Sequence, residues 1–482
     1  MLARGLQTTL LVSLSGCLIF GDADDIQATV SGDSKVSFDA LRAKDPQAKL
    51  GAKEHPKILA ANGGAYKSAK LEQLLAPIAG ALLTFSDDPE RAYDITVLNS
   101  PAVNAFALPG GYLYVTRGLL ALANDQSEVA AVLAHEIAHV SSNHGIERSR
   151  QAKAAGIAER VVNDVVTSDI AGKVAKANTA RRMSSFSQTQ ELQADAIGIK
   201  MLGKSGYDPF AAARFLESMK RFAGWRSAFN SDEDDMSSSH PSTPQRVELA
   251  KRHARTFGPE GSVKLDRNRF LAGLDGMLFG DAAKEGYVRG NTFSHSKLNV
   301  TFRVPDNFEL TNRAEAVLAS GPNETALRFD AVSAKGYPGA SRYIASGWVN
   351  GLLPQSVQPA EINGMEAATA LAVAGDWQFA VTVIAWKNRY FRFILAAPKA
   401  NTNVAQLSSG IVQTFRKMTA AEKAALKPLR LKIVTVGASD TIASLASRMK
   451  GVSRKVQLFR ALNELDEGDR VKPGTKVKTV AG

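Results

Sequence analysis

Residues 127–140 constrain the fold more than any other part of the sequence, because they place ionisable side chains in an apolar, helix-compatible run. The ionisable residues lie in the pentapeptide His135-Glu136-Ile137-Ala138-His139. A helix turns by about 100° per residue, so four residues advance it by about 40° past a full turn. His135 and His139 therefore project from one face, with Glu136 beside them. In a helix this pattern indicates a metal site, although the bare pattern also arises by chance.

Two imidazoles and an adjacent carboxylate suit metal-dependent hydrolysis of peptide bonds. A zinc ion polarises a carbonyl group and brings the pKa of a bound water close to 7, and a base beside that water accepts its proton. We therefore predict one Zn²⁺ per chain, held by His135 and His139, with Glu136 as the general base.

The third metal ligand is expected on a different helix, and residues 191–195 are the best candidate. The spacing of Glu191 and Asp195 puts both carboxylates on one helical face. One of them can bind zinc while the other accepts the second ring N–H of a ligating histidine. An acidic pair at this spacing is otherwise more often a solvated face.

His144 is a fourth histidine candidate close in sequence. It follows His135 by nine residues, which rotates it to about the opposite side of a continuous helix. We therefore predict that His144 packs or forms hydrogen bonds and does not bind the metal.

Several spaced motifs together resemble one family of peptidases. They are residues 104–111, 135–139, 191–195 with Gly198, 206–209, His240-Pro241 and Arg246, in that order. The stretch 51–253 thus resembles the HtpX-like and BepA-like gluzincin metalloproteases, which are related to the CAAX prenyl proteases. No run of 18 or more apolar residues occurs in the sequence, so the resemblance is to the branch of exported lipoproteins in the periplasm.

The resemblance implies roles for individual residues. It implies zinc ligands at His135, His139 and Glu191, with Glu136 as the base. It also places His240 and Arg246 near the transition state.

The two downstream residues have several possible functions. Arg246, if it lies within reach, stabilises the oxyanion of the tetrahedral intermediate. His240 either donates a hydrogen bond to that oxyanion or occupies the open zinc position in a resting state, carried by the polar, acidic segment 230–239. A surface histidine with neither role is the third possibility.

A candidate substrate-binding edge precedes the metal motif. Asn104, Ala105 and Phe106 are followed by strand-like residues 112–116, and an edge strand there would pair with an extended substrate backbone. Such pairing gives broad specificity. The alternative is a buried structural strand and turn.

The N-terminal residues resemble a bacterial lipoprotein signal. Arg4 precedes a short apolar stretch, and Leu14-Ser15-Gly16-Cys17 matches the lipobox. The resemblance implies a signal peptide over residues 1–16, lipidation of Cys17 and a periplasm-facing protein anchored to the outer membrane. A plain cleaved signal with an incidental cysteine is the alternative. Because Cys17 is the only cysteine, internal disulfides and cysteine-based zinc sites are excluded.

The length of 482 residues, with 45% hydrophobic and 22% charged content, predicts a globular protein of several domains. We predict an α+β multidomain fold with a mainly helical zincin-type catalytic domain, an antiparallel α+β domain and a small LysM-like βααβ module. The predicted boundaries are a polar linker over 17–46, the peptidase domain over 47–258, a connecting segment over 259–290, the α+β domain of unknown role over 291–420 and the LysM-like module over 431–480.

Residues 434–436, Leu462-Asn463 and Lys472-Pro473-Gly474-Thr475-Lys476 resemble the LysM module. The resemblance implies that residues 431–480 bind peptidoglycan. The usual Gly-Asp-Thr of that module is replaced by Ser439-Asp440-Thr441, which makes glycan binding an open question. From Arg430 to Gly482 there are eleven Lys or Arg and five Asp or Glu residues. This basic end suits nucleic acid, anionic lipid or an anionic cell-wall polymer, or it is only a solvated face. Nucleic acid is not among the predicted partners.

The predicted function is hydrolysis of misfolded or stalled cell-envelope proteins, with unfolded or misassembled envelope proteins as substrates and a lipid anchor to the membrane. Two alternatives remain: a latent peptidase that acts as an envelope chaperone or scaffold, and a peptidoglycan-binding protein.

Overall fold

The computed structural model describes residues 27–29, 35–37, 48–87, 93–108, 110–145, 147, 187–227, 236–336, 339–400 and 403–482. Cys17, the predicted signal peptide and residues 230–235 of the acidic segment lie outside the described residues.

The described residues form helices and strands in both halves of the chain. The helices are α1 (Ala48–Ala61), α2 (Ala69–Thr84), α3 (Arg117–Leu122), α4 (Gln126–Ser141), α5 (Gln188–Lys204), α6 (Ala211–Ser227), α7 (Met236–Ser239), α8 (Pro244–Ala254), α9 (Arg267–Leu274), α10 (Ala340–Ile344), α11 (Val404–Val412), α12 (Ala420–Ala425), α13 (Ile442–Ser447) and α14 (Lys455–Leu462). The strands are β1 (Gln27–Thr29), β2 (Lys35–Ser37), β3 (Asp94–Leu98), β4 (Ala105–Leu108), β5 (Tyr112–Thr116), β6 (Leu278–Phe279), β7 (Tyr287–Arg289), β8 (Thr292–His295), β9 (Val300–Arg303), β10 (Glu309–Asn312), β11 (Val317–Ser320), β12 (Ala326–Ser333), β13 (Gln358–Ile362), β14 (Met365–Ala374), β15 (Trp377–Trp386), β16 (Arg389–Pro398), β17 (Arg416–Lys417), β18 (Leu429–Thr435) and β19 (Lys476–Ala481). The fold is therefore a mixed α+β fold, as predicted.

The helix that carries the pentapeptide, α4, is buried along most of its length. Asp125 caps its N-terminus by accepting a hydrogen bond from the backbone N–H of Glu128. All residues from Ser127 to His139 are buried, so polar groups on this helix must find partners inside the protein. Helix α4 packs beside a three-stranded sheet in the order β3-β5-β4, whose central strand is entirely buried.

Helix α5 lies unusually close to α4 because of a glycine. It begins with a capping box between Ser187 and Gln190. A Cβ atom on Gly198 would lie 3.1 Å from the backbone nitrogen of His135. The absence of a side chain at Gly198 therefore brings the acidic face of α5 against the histidine face of α4.

Residues 287–417 build two antiparallel sheets with cores of their own. A seven-stranded sheet has the order β10-β11-β12-β16-β15-β14-β13, and a four-stranded sheet has the order β17-β9-β8-β7. The long β15–β16 hairpin turns at Lys387 and Asn388, both of which have positive φ. The sequence of this domain predicts helices over 342–353 and 404–418. The first is only the short α10, and the second ends with α11 at Val412.

The C-terminal residues have the predicted strand-helix-helix-strand order, with β18 antiparallel to β19. Strand β18 also pairs with β6, which belongs to the predicted connecting segment. Helix α9 of the same segment buries Phe270, Leu271 and Leu274 in the peptidase core. Residues 259–290 thus contribute packed structure, and the LysM assignment itself stays a prediction.

Among the described helices, none combines the length and the apolar character needed to cross a membrane.

Candidate metal centre

Four buried side chains from three parts of the chain converge on one point. They are His135 and His139 on α4, Glu191 on α5, and His240, which follows α7. One nitrogen or oxygen atom from each lies within 4.8 Å of the other three. The structure thus brings together the three predicted zinc ligands and adds His240.

The separations of these atoms fit a single divalent cation. The Nε2 atoms of His135 and His139 are 2.9 Å apart, and Glu191 oxygens lie 3.5 Å and 3.3 Å from them, respectively. Tetrahedral zinc with bonds of about 2.0–2.1 Å separates its ligand atoms by roughly 3.3 Å. Two imidazole nitrogens and a carboxylate are also the ligand types that zinc prefers. The donor set therefore fits zinc both in geometry and in chemistry.

The two helix histidines differ in how their surroundings shift the pKa. Burial lowers the pKa of His139 to about 3, which keeps its ring neutral. Burial also disfavours a charge on His135, but hydrogen bonds with Asp195 and Glu191 raise its pKa to about 9. A proton on Nε2 of His135 competes with a metal ion for that atom, so metal binding must release it.

Asp195 orients the ring of His135. Its Oδ1 lies 3.0 Å from Nδ1 of His135, which leaves Nε2 for the metal. Burial would raise the pKa of Asp195, but hydrogen bonds from Arg246 and His135 lower it to about 2. Asp195 is therefore ionised at neutral pH, in the position predicted for a carboxylate behind a ligand.

Arg246 holds both acidic residues of α5. Its Nε and Nη2 each donate to Asp195 over 2.8 Å, and its Nη1 lies 2.6 Å from Oε2 of Glu191. Nη1 also donates to the carbonyl of Pro241. The predicted oxyanion contact is thus not what the geometry shows, because these donors already serve protein acceptors. Arg246 positions the two carboxylates.

His144 orients the ring of His139, a contact that the sequence analysis missed. Helix α4 ends at Ser141, and Asn143 has a φ of 55°, so the chain turns back instead of continuing the helix. His144 Nδ1 consequently lies 2.9 Å from His139 Nδ1, and its Nε2 lies 3.3 Å from Oε1 of Gln193. A neutral His144 with its proton on Nε2 accepts from His139 and donates to Gln193, which leaves Nε2 of His139 for the metal.

We predict that His144→Leu weakens zinc binding by about 10–100-fold, the usual effect of removing a partner of a ligating histidine. A competitive titration with a chromogenic chelator measures this affinity. His253→Leu, an exposed change on α8, is the control and should leave it unchanged. Wild-type affinity in His144→Leu would show that the contact does not support the site.

Glu136 lies in an environment that disfavours its charged form. It is buried beside the ligands, and burial raises its pKa. Its Oε1 accepts no hydrogen bond from any described residue, and His240 Nε2 lies 3.7 Å away. This oxygen is available to a water or a substrate amide in the site.

His240 is not a surface histidine, since only 3% of it is exposed. Its Nδ1 lies 2.9 Å from Oε1 of Glu191 and 3.2 Å from Nε2 of His135. Its backbone N–H donates to Met236, whose own N–H donates to Val103 beside the edge strand. His240 is thus held among the ligand atoms by a short helix tied to the strand region.

Strand β4 is the outer strand of the three-stranded sheet, and no other described strand pairs with its free edge. Asn104 and Thr116 form a hydrogen-bonded pair of the antiparallel ladder, because the N–H of Thr116 donates to the carbonyl of Asn104. Hydrogen-bonded and non-hydrogen-bonded pairs alternate along such a ladder, so the backbone N–H and C=O groups of Ala105 and Ala107 point away from β5. Phe106 instead stacks on Tyr114 at 4.9 Å. Of the predicted substrate residues, Ala105 faces the free edge, while Asn104 and Phe106 face the sheet and its core.

A helix with two ligating histidines, a carboxylate from the next helix and a neighbouring edge strand define a zincin-type metallopeptidase domain. Residues 65–254 match peptidase family M48, so this chain contains an M48 peptidase domain. The family resemblance read from the sequence is thereby confirmed.

The relatives of this domain are proteases. The beta-barrel assembly-enhancing protease of Escherichia coli (strain K12) is 29% identical over 199 residues, which are 39% of this chain and 40% of the relative. The mitochondrial metalloendopeptidase OMA1 of Arabidopsis thaliana is 32% identical over 158 residues, 33% of this chain and 31% of the relative. A putative beta-barrel assembly-enhancing protease of Vibrio cholerae serotype O1 is 26% identical over 251 residues, 48% of this chain and 49% of the relative. This chain thus spans less than half the length of these relatives.

Proposed function

We propose that this protein is a zinc-dependent endopeptidase that hydrolyses peptide bonds of misfolded or stalled cell-envelope proteins. The observation that carries the proposal is the convergence of His135, His139 and Glu191 beside a buried Glu136 with a free oxygen. The names of the relatives, which refer to beta-barrel assembly and to a metalloendopeptidase, support the substrate class.

The residues of the site have separable tasks in this reaction. Bound zinc would polarise the scissile carbonyl and acidify the attacking water. Glu136 takes the proton of that water and then delivers it to the leaving amide nitrogen. Ala105 and Ala107 hold an extended substrate through its backbone, so the side chains of the substrate matter little. This mode of binding suits unfolded proteins of varied sequence.

The proposal includes export and a lipid anchor at Cys17, supported by the lipobox-like residues at positions 14–17. It also includes peptidoglycan as a ligand of residues 431–480, supported by the LysM-like residues there.

Metal analysis combined with proteolysis of unfolded casein tests the enzymatic proposal. We expect about one zinc per chain, cleavage of casein by the wild type, slower cleavage of a folded protein of similar size, and loss of activity on chelation that zinc restores. A chain that binds zinc and cleaves no unfolded protein would contradict the proposal and favour the scaffold alternative.

His240→Ala distinguishes two roles for this histidine, because they predict changes of opposite sign. A donor to the oxyanion would lower the rate by about 10²-fold or more when removed. A histidine that occupies the open metal position competes with water and substrate, so its removal raises basal proteolysis. We expect the increase, because Nδ1 of His240 lies among the ligand atoms at 2.9 Å from Glu191 and 3.2 Å from His135.

The measurements for His240→Ala are the initial rate on casein, the rate of self-cleavage and the zinc affinity. His295→Ala, which removes a buried histidine of the second domain, controls for a general loss of packing. A rate and an affinity that both stay at the wild-type values would eliminate both roles.

A further inference from the structure

The C-terminal residues 429–481 share one core with the peptidase domain. The same apolar cluster contains Leu431, Phe459 and Val480 as well as Leu133 of α4 and Phe222 of α6. Residues 293–415 supply separate clusters. The pairing of β18 with β6 adds backbone hydrogen bonds across the same junction. The C-terminal module is thus packed on the peptidase domain and does not hang from a linker.

Lys478 lies at the centre of this junction. It belongs to β19, and none of its surface is exposed. Its Nζ donates to the carbonyls of Ala121, Leu122 and Ala123 over 2.8, 2.9 and 2.7 Å, respectively. An ammonium group has three protons, so these contacts satisfy all of them. These carbonyls end helix α3, where the helix dipole favours a cation.

The carbonyls that Lys478 holds lie immediately before the catalytic helix. Asp125, two residues after Ala123, is the N-cap of α4. The N–H of Asn124 donates to Glu128 in the first turn of α4, and Arg267 donates to both oxygens of Asn124. A shift of the 121–124 turn would therefore move the start of the helix that carries His135, Glu136 and His139.

Other charged contacts tie the module to the same region. Arg221 of α6 donates to both carboxylate oxygens of Asp466 over 2.7 and 3.1 Å. Burial and the charge of Glu464 of the module raise the pKa of Glu128 of α4, and Glu464 lies 3.9 Å from Arg267. The buried amino group of Lys478 thus lies in a network that connects both sides of the junction, where burial lowers its pKa to about 7 and the nearby Glu128 and Glu464 oppose that shift.

We propose that Lys478 is a positioning residue for the metal site, and that the C-terminal module is a fixed part of the peptidase that sets the start of helix α4. The predicted effect on proteolysis rests on the function proposed above, whereas the docking and its effect on metal geometry do not.

Native-state hydrogen exchange on the wild-type zinc protein tests whether the two parts open together. If they form one unit, the amides of 477–480 and of 130–140 exchange through an opening of the same free energy and the same denaturant dependence. An opening that exposes the amides of 477–480 at lower free energy, while those of 130–140 stay protected, would overturn the docking proposal. This measurement needs no variant.

Lys478→Met tests the positioning role, because methionine keeps an unbranched stem and removes the ammonium. We expect a changed visible spectrum of Co²⁺ bound in place of zinc and a kcat/KM on casein lower by about tenfold or more, since a small displacement of catalytic groups can cost up to about 10²-fold. Both are measured well below the unfolding temperature.

Two controls separate positioning from loss of stability or charge. Lys432→Met removes a lysine with a 57% exposed side chain from the neighbouring strand, and it should leave spectrum and rate unchanged. Leu445→Ala destabilises the module core and should lower Tm without changing the cobalt spectrum of the folded protein.

The positioning role is refuted if Lys478→Met folds and has the wild-type cobalt spectrum. A wild-type protein inactive on casein would refute the peptidase proposal and leave the spectral test intact.

Discussion

Glu136→Gln is expected to lower casein hydrolysis by at least about 10²-fold, the usual contribution of a positioned base, while zinc content stays near that of the wild type. The amide keeps the size of the carboxylate but cannot accept the proton of the attacking water. Glu136 is not among the four residues whose atoms converge, so the ligands are left intact. Single-turnover proteolysis and metal analysis of the same preparation measure both quantities.

The control for this substitution is Glu248→Gln, which makes the same chemical change at an exposed position of α8. It should preserve activity. Full activity of Glu136→Gln would remove Glu136 from the mechanism, and a loss of zinc in that variant would show that its carboxylate supports metal binding instead of proton transfer.

The catalytic elements could be predicted because their signals are local. The spacing of His135 and His139 places both side chains on one face of a single helix, and the spacing of Glu191 and Asp195 does the same on another helix. That the two helices face each other depends on Gly198, whose missing side chain allows the close approach to His135. The prediction paired these helices because zinc needs a third ligand from a different element, and the family resemblance supported the pairing; spacing alone does not contain it.

The positions of His144 and Arg246 could not be read from helical spacing. The angle argument for His144 assumes a continuous helix, and the positive φ of Asn143 ends that helix. The role of Arg246 depends on the packing of α8 against α5, where its guanidinium group contacts Asp195 and Glu191. A tertiary contact decides the role in both cases.

In the second domain one local signal was available and was missed. Asn363-Gly364, both with positive φ, connects β13 and β14, and Asn-Gly is a strong signal for a two-residue hairpin. The expected helix over 342–353 fails because Gly347 and Gly351 both adopt positive φ, which interrupts helical geometry. The hydrogen bonds of Lys478 join residues more than 350 positions apart, so no local sequence pattern predicts them.

Glu191→Ala is expected to weaken zinc binding by well over about 100-fold, because it removes a ligand, whereas loss of a group behind a ligand costs about 10–100-fold. Asp195→Asn changes such a group behind a ligand, on the same helix as Glu191. It keeps the shape of the residue that contacts His135 and should fall in the smaller range. Equilibrium competition against a chelator of known affinity gives both values.

Loss of Glu191 also has a charge effect that the measurement must separate from coordination. Arg246 Nη1 and His240 Nδ1 both contact this carboxylate, so the alanine variant removes one partner from each of these buried groups and lowers stability. Glu191→Gln keeps an acceptor oxygen for these donors but removes the negative charge. If Glu191 is a ligand, both variants lose zinc while the glutamine variant stays closer to wild-type Tm. Stoichiometric, tightly bound zinc in both would place the third ligand elsewhere, and His240 would then be the candidate because its Nδ1 already lies among the ligand atoms.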